Sequence, residues 1–307
     1  MAKSPVPTAR FLPRRVLAVR GRDAADFLQD VVSADIAELS AARPLYGVLL
    51  TPQGRVRYDF FLWRPRGRTI YLDCERRSAE ALRRALMLYS LRRAVEIGDE
   101  PVGIAAAWRG EPVPAAARPD ARHPALGWRW MQPVPKGAPA SSTSLAASPA
   151  ASYAAAWRRH RLRLGVPEGA SEMPPERCFP LEYGLQHLNA LSFHKGCFIG
   201  QEVVARGHRL GQRRKSLYPV RFAAKAPPPG TPICLSDGRQ VGEVRAAAGP
   251  HALALLRNDA LGNAAEHDMR AAQQAFTRLA PVWTRPKTDS ASPDASSAAP
   301  SVRPAPQ

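Results

Sequence analysis

In this chain of 307 residues, the side chain best placed by type and spacing to do covalent or metal chemistry is Cys197. It lies in PLEYGLQHLNALSFHKGCFIGQEVVAR, residues 180–206. Leu185, Leu188 and Leu191 mark an apolar stretch that breaks at Lys195-Gly196, and Gly196 and Gly200 allow the backbone a tight course past a neighbouring ligand or chain. Gln201, Glu202, Val203, Val204 and Ala205 read as the start of a helix. The thiol is therefore expected on a loop just ahead of a helix N-terminus, with the Lys195 ammonium two positions away. Both features favour the thiolate, the form that attacks electrophiles and binds metals. Taken by itself, a lone cysteine between Gly196 and Phe198 is more often a small buried hydrophobe. His194 would complete a Cys–His pair, but three residues away in an irregular segment it reads as an ordinary loop residue.

The other cysteines, Cys74, Cys178 and Cys234, are scattered with no CxxC pair. That argues against a disulfide framework and against a self-sufficient iron–sulfur site, since such clusters usually take four thiolates with several close in sequence. No stably bound metal is expected. No stretch approaches the ~20 apolar residues of a membrane span. Only about ten residues precede the first strand-like run, too few for a transit peptide, so a cytoplasmic protein is the simplest expectation. The net charge of +18 admits a nucleic-acid partner, but 38 of the 44 basic residues are arginine, a bias that fits a generally basic surface better than a dedicated groove. The sharpest cluster, Arg206, Arg209, Arg213, Arg214 and Lys215, directly follows the cysteine loop. It suits an acidic ligand there.

The elements that must position this loop read as follows. Residues 16–19 form a strand, and Asp23 caps a helix whose Phe27, Leu28, Val31 and Val32 share a face. LYGVLL is a short apolar strand ending at the turn Thr51-Pro52-Gln53-Gly54. RVRYDFFLW then alternates Val56, Tyr58, Phe60 and Leu62 against Arg55, Arg57 and Asp59, the pattern of a half-exposed strand. TIYLDC is a further strand, and Ser78 caps a helix bearing Leu82, Leu86 and Tyr89. This β-α-β-β-β-α order indicates an α+β fold with helices packed on an antiparallel sheet. A Pro/Ala/Ser-rich linker or loop occupies 133–151, a basic helix covers Tyr153–Leu164, and VPEGASEMPPERCFPLEYG should wander over the surface or line a cleft. From about Leu217, short strands separated by Pro or Gly turns indicate a small barrel or sandwich. Residues 286–307 should be disordered.

KGCFIGQEVVAR resembles the signature of the YgfZ family, folate-binding relatives of the glycine-cleavage aminomethyltransferase (GcvT). That signature is Lys-Gly-Cys-Tyr/Phe-Ile/Val/Thr-Gly-Gln-Glu, and Lys195, Gly196, Cys197, Phe198, Ile199, Gly200, Gln201 and Glu202 match it position for position. VLAVRGRDAADFLQDVVSADI, with Ser33-Ala34-Asp35, resembles the family's opening strand–helix segment. LLTPQGRVRYDFFLW resembles its strand pair with an Asn/Thr-Pro-x-Gly-Arg turn, and PLEYG resembles its Pro-x-Glu stretch. The likeness covers roughly residues 10–285. It implies a GcvT-like folate-binding region over 10–212, a C-terminal β-barrel over 213–285, and a role in assembly or repair of iron–sulfur clusters in client enzymes, with effects on tRNA modification through them. Implied partners are iron–sulfur assembly proteins or client enzymes.

The resemblance further implies tetrahydrofolate, or a one-carbon derivative of it, as cofactor. Such a ligand needs an aromatic or apolar slot, a polar partner for its ring nitrogens and cations for its glutamate tail. Tyr46, Arg55, Tyr58, Asp59 and Glu182 are the candidate liners, each equally readable as sheet packing or a surface ion. Cys197, assisted by Lys195, would accept a sulfur or one-carbon unit, supply a ligand to a shared cluster, or only shape the loop, and the residues leave these open. A folate-dependent aminomethyl- or methyltransferase is a second reading. It is weakened because the adjacent acidic pair of the transferases is here Tyr58-Asp59. A tRNA-binding module using Arg206–Lys215 is a third, less favoured one.

Overall fold

The computed structural model describes residues 11–134, 149–211, 213–261 and 268–284. Residues 135–148 of the Pro/Ala/Ser-rich stretch and the tail 286–307 lie outside these. The N-terminal strands are β1 (Arg14–Arg20), β2 (Leu45–Leu50), β3 (Val56–Trp63), β4 (Ile70–Glu75) and β5 (Glu96–Glu100). They pair antiparallel in the order β2-β3-β4-β1-β5. Helices α1 (Ala24–Val31) and α2 (Ala79–Tyr89) lay Phe27, Leu28, Val31, Leu82 and Leu86 on one face of this sheet, against Leu17, Phe60, Leu62 and Leu72. The α+β order read from the pattern is the order observed.

Three local expectations are corrected. β3 is not half-exposed: α1 and α2 cover one of its faces and a second core covers the other. Phe60 and Leu62 meet the helices, Phe61 and Trp63 face the opposite core, and Asp59 is buried with them. Asp23 and Ser78 stand at the two N-cap positions, yet neither side chain caps its helix. Asp23 accepts from the Ala94 N–H (2.7 Å), and Ser78 donates to Glu75 (2.8 Å).

Behind the sheet lies a second one that the sequence pattern did not reveal. It comprises β6 (Val102–Ala107), β7 (Arg118–Pro119) and β8 (Trp128–Pro133) in the order β6-β8-β7. Helix α3 (Pro149–Leu164) packs Trp157 and Leu162 into the same core. After α4 (Gln201–Arg209) comes a closed barrel of β9 (Lys215–Phe222), β10 (Pro232–Cys234), β11 (Gln240–Ala248), β12 (His251–Arg257), β13 (Arg270–Ala271) and β14 (Gln274–Arg278), ordered β10-β11-β12-β9-β14-β13. The short α5 (Asn258–Leu261) follows β12. Leu217, Leu253 and Leu255 of the barrel join the core that holds Phe61, Trp157 and Leu185.

The Pro/Gly-rich segment, expected to wander over the surface or line a cleft, instead passes in part through the interior, with Ser171 and Pro175–Arg177 exposed. Val166, Glu172, Met173, Cys178 and Tyr183 are all buried. It delivers Glu168 to four guanidiniums from different elements. Arg122 lies at 2.7 Å, Arg14 at 3.5 Å, Arg129 at 3.5 Å and Arg161 at 3.8 Å. Burial alone would raise the Glu168 pKa, but Arg161, Arg122, Arg14 and Arg129 together hold it well below the usual carboxylate range. Arg14 also binds Asp73 (2.5 Å), Arg122 grips Asp120, and Arg161 grips Glu172. Two sheets, one helix and one irregular segment meet at this cluster.

Glu168→Gln keeps the shape but removes the shared charge, leaving buried cations under-compensated. It is expected to destabilise the fold by roughly 3–5 kcal/mol, measured by denaturant unfolding. Because the folded-state pKa is depressed, this contribution is present above the ordinary carboxylate range and declines as pH falls below it. The gap between wild type and variant should therefore narrow in acid, and a gap independent of pH would refute the assignment.

Candidate functional site

Cys197 is exposed, whereas Cys74 and Cys178 are buried and Cys234 is half-buried. Burial pushes the Cys74 and Cys178 thiols up to about 12, so neither is a reactive group at neutral pH. The Cys197 loop ends at Gly200, immediately before α4, as the sequence predicts. Phe198 turns inward to the main core while Gly196 and Cys197 stay outside. Gln201 steadies the bend through its amide, which reaches the Gly196 carbonyl at 3.4 Å, and Glu202 is exposed in the first turn of α4.

Three anchors fix this loop. The first is Lys195, whose ammonium is committed to main-chain oxygens at the end of α1. It donates to Gln29 (2.5 Å), Val32 (2.8 Å) and Ala34 (2.9 Å). This corrects the expectation that Lys195 would serve the thiol: it is a buried positioning residue that closes the carboxyl end of a helix, where a cation is favoured. Burial draws its pKa down to about 8, opposed by Asp35 and Asp30, and three acceptors need the proton-bearing form. The second anchor is Ser33, whose hydroxyl donates to Ala190 O (2.6 Å) and accepts from Val48 N (2.9 Å), while its carbonyl accepts from Ser192 N (2.9 Å). The third is Gly200, at φ 77°, where an added Cβ would sit 2.4 Å from Thr51 O and 3.1 Å from Gly54 Cα. The turn Thr51–Gly54 thus abuts the loop backbone to backbone, which requires glycine. His194 is exposed, and His208 of α4 stacks on Phe193 with ring centres 4.1 Å apart.

The five candidate folate liners do not come together. Tyr46 and Asp59 meet: the Tyr46 hydroxyl donates to Asp59 Oδ2 (3.0 Å), and the Gly169 N–H donates to Oδ1 (3.1 Å). Burial raises the pKa of both groups. Tyr58 packs with the opposite face of the sheet. Arg55 lies over the Phe179 ring at 4.7 Å and reaches Glu176 O at 3.4 Å. Glu182 sits beside the barrel, its carbonyl accepting from Leu217 N (2.9 Å); burial raises its carboxyl pKa, opposed by Lys215.

These residues do not fit tetrahydrofolate. Both Asp59 oxygens are engaged, and the Tyr46 and Phe61 rings are approached by the Arg122 guanidinium at 5.4 and 4.8 Å. The cleft at Tyr58, Asp59, Cys74, Glu75 and Met173 has room for about one water molecule, far short of a ligand site. Arg122, Arg129 and Glu168, which fill the centre, were not singled out from the sequence. Their charges look like surface charges in a segment without clear strand periodicity.

In the native protein a maleimide reagent should label Cys197 ahead of the other three thiols, with Cys74 and Cys178 reacting only on unfolding. Lys195→Met leaves three carbonyls short of a donor and should cost on the order of 1–3 kcal/mol, with a changed rate of Cys197 labelling. Labelling and stability both unchanged would exclude the anchoring role.

A family model for the CAF17 C-terminal beta-barrel domain matches residues 214–286, the segment that forms the barrel. The chain is 32% identical over 303 residues to the human mitochondrial iron–sulfur cluster assembly factor IBA57, covering 88% of this chain and 83% of that protein. It is 30% identical over 309 residues to the mouse protein of the same name, with the same coverage. The glycine cleavage system aminomethyltransferase T of Bartonella henselae shares the fold, with TM-score 0.66 and 14% identity over 89% of this chain and 85% of that one. The GcvT-like architecture with a C-terminal barrel is thereby established. The expectation of a cytoplasmic protein is corrected, because these IBA57 relatives are named as mitochondrial. With a third of positions shared along most of both lengths, the chain belongs to the IBA57 family.

Proposed function

We propose that the protein is an iron–sulfur cluster assembly factor that presents Cys197 as one thiolate to a cluster shared with a partner protein. The observation that carries this reading is the contrast among its thiols: Cys197 alone is exposed, on a loop pinned by Lys195, Ser33 and Gly200. One thiolate holds a cluster only together with ligands from elsewhere. Among the described residues no group of three or more His, Cys, Asp or Glu could hold a metal ion, so the remaining ligands come from the partner. The cluster is cargo in this scheme. The names of the human and mouse relatives support the role, and the eight-residue match at Lys195–Glu202 supports a YgfZ-type thiol loop.

The surroundings suit an acidic partner. Arg206, Arg209, Arg213, Arg214 and Lys215 are all exposed beside the loop, and such a collar speeds encounter and fixes orientation more than it adds affinity. An influence on tRNA modification would reach tRNA through client enzymes. Folate has no part in this reading, given the filled centre. Aminomethyl transfer loses its remaining carboxylate, since Asp59 is engaged on both oxygens.

The test is an anaerobic titration of the protein into a cluster-loaded scaffold protein, followed by visible absorption and gel filtration. A new cluster spectrum that co-elutes with both chains is expected for the wild type and is lost in Cys197→Ser. An unchanged spectrum and complex with Cys197→Ser would sink the ligand role. Loss of complex with Arg206→Glu and Arg209→Glu, the thiol remaining reactive, would separate recognition from ligation.

A further inference from the structure

The hairpin joining β7 to β8 carries two guanidiniums into the centre of the fold. Asp120 N bonds Gly127 O (2.8 Å), and Gly127 takes φ 87°, where a Cβ would meet Ala107 O at 2.2 Å. This closed turn places Arg122 and Arg129 on the same aromatic surface. The Arg129 Cζ lies 3.9 Å from the centre of the Phe61 ring, and Arg122 lies 4.8 Å from it and 5.4 Å from that of Tyr46. Both side chains are wholly buried.

Their bonding differs. Arg122 is held edge-on by Asp120, with Nε to Oδ1 at 3.0 Å and Nη2 to Oδ2 at 2.9 Å, and Nη1 donates to Glu168 at 2.7 Å. Arg129 finds no hydrogen-bond partner for any of its three nitrogens. Its nearest carboxylates, Asp73 and Glu168, stand at 3.5 Å, and stacking on Phe61 is its main contact. A planar guanidinium stacked on aromatic rings and bonded along one edge to a carboxylate is the arrangement a pterin would need. The 2-amino-4-oxopyrimidine edge of a pterin is itself a cyclic acylguanidine, recognised by the same two-pronged carboxylate.

We infer that Arg122, lying over the Tyr46 and Phe61 rings and clasped by Asp120, occupies from within the chain the kind of site a pteridine would take, so that the centre is self-liganded and the protein holds no folate. Arg129 closes the slot from the side of Trp157, 6.0 Å away. The inference is independent of the Cys197 reading, since it concerns the core and not the loop.

The test uses the full chain. Wild-type protein is titrated with tetrahydrofolate to about 1 mM, reading Tm and the tryptophan fluorescence to which Trp157 contributes; no saturable change is expected. Arg122→Ala empties the slot and should lower Tm by on the order of 10 °C. Methylguanidinium at about 10 mM should then restore several degrees, in this variant and not in the wild type. Saturable tetrahydrofolate binding by the wild type would overturn the inference, as would a folded Arg122→Ala protein that ignores methylguanidinium. Should that variant fail to fold, the wild-type titration decides alone.

Discussion

Everything else in the fold depends on one carboxylate being surrounded by arginine. Glu168 reaches Arg14 of the first sheet, Arg122 and Arg129 of the hairpin and its strand, and Arg161 of α3. A buried guanidinium is costly unless its charge is met, and removing one partner of such a set leaves the others exposed to that cost. The cluster therefore constrains geometry more than it adds net stability. Each of its elements must arrive at the correct depth and angle, or a charge is left unmatched. With Asp59, Asp73, Asp120 and Glu172 as the further carboxyls, anions outnumber these four arginines by one.

The thiol loop obeys the same logic at smaller scale. Lys195 is a buried cation whose partners are helix-end carbonyls in place of carboxylates. In this role the lysine of the motif acts on α1, and the cysteine two residues on is left free for solvent and partner. A motif read as a reactive pair thus separates into an anchor and a presented group.

Much of the fold was legible because the first sheet and the barrel follow the simple periods of strand and helix. Phe27, Leu28, Leu82 and Leu86 announce their helix faces, and the eight-residue signature announces the loop. What was not legible depends on long-range pairing. Asp59 alternates like a surface residue, yet a second sheet, formed by residues with no clear pattern, covers that face. Glu168 sits among prolines and glycines that suggest exterior loop, and only the four arginines from distant segments explain why it is inside. Of the five residues expected around one ligand, only Tyr46 and Asp59 meet, and the guanidinium over Tyr46 comes from residue 122, with no local sign of its destination.

At Gly200 the loop meets Thr51 O and Gly54 Cα main chain to main chain. The thiol's position thus rests on a backbone contact as well as on the buried side chains of Lys195 and Ser33, none of which a surface substitution replaces. The exposed Arg206 and Arg209 of α4 take no part in that contact, whereas Val203 packs over Gly54. The chemistry of that helix surface can in this way drift while the sulfur keeps its place.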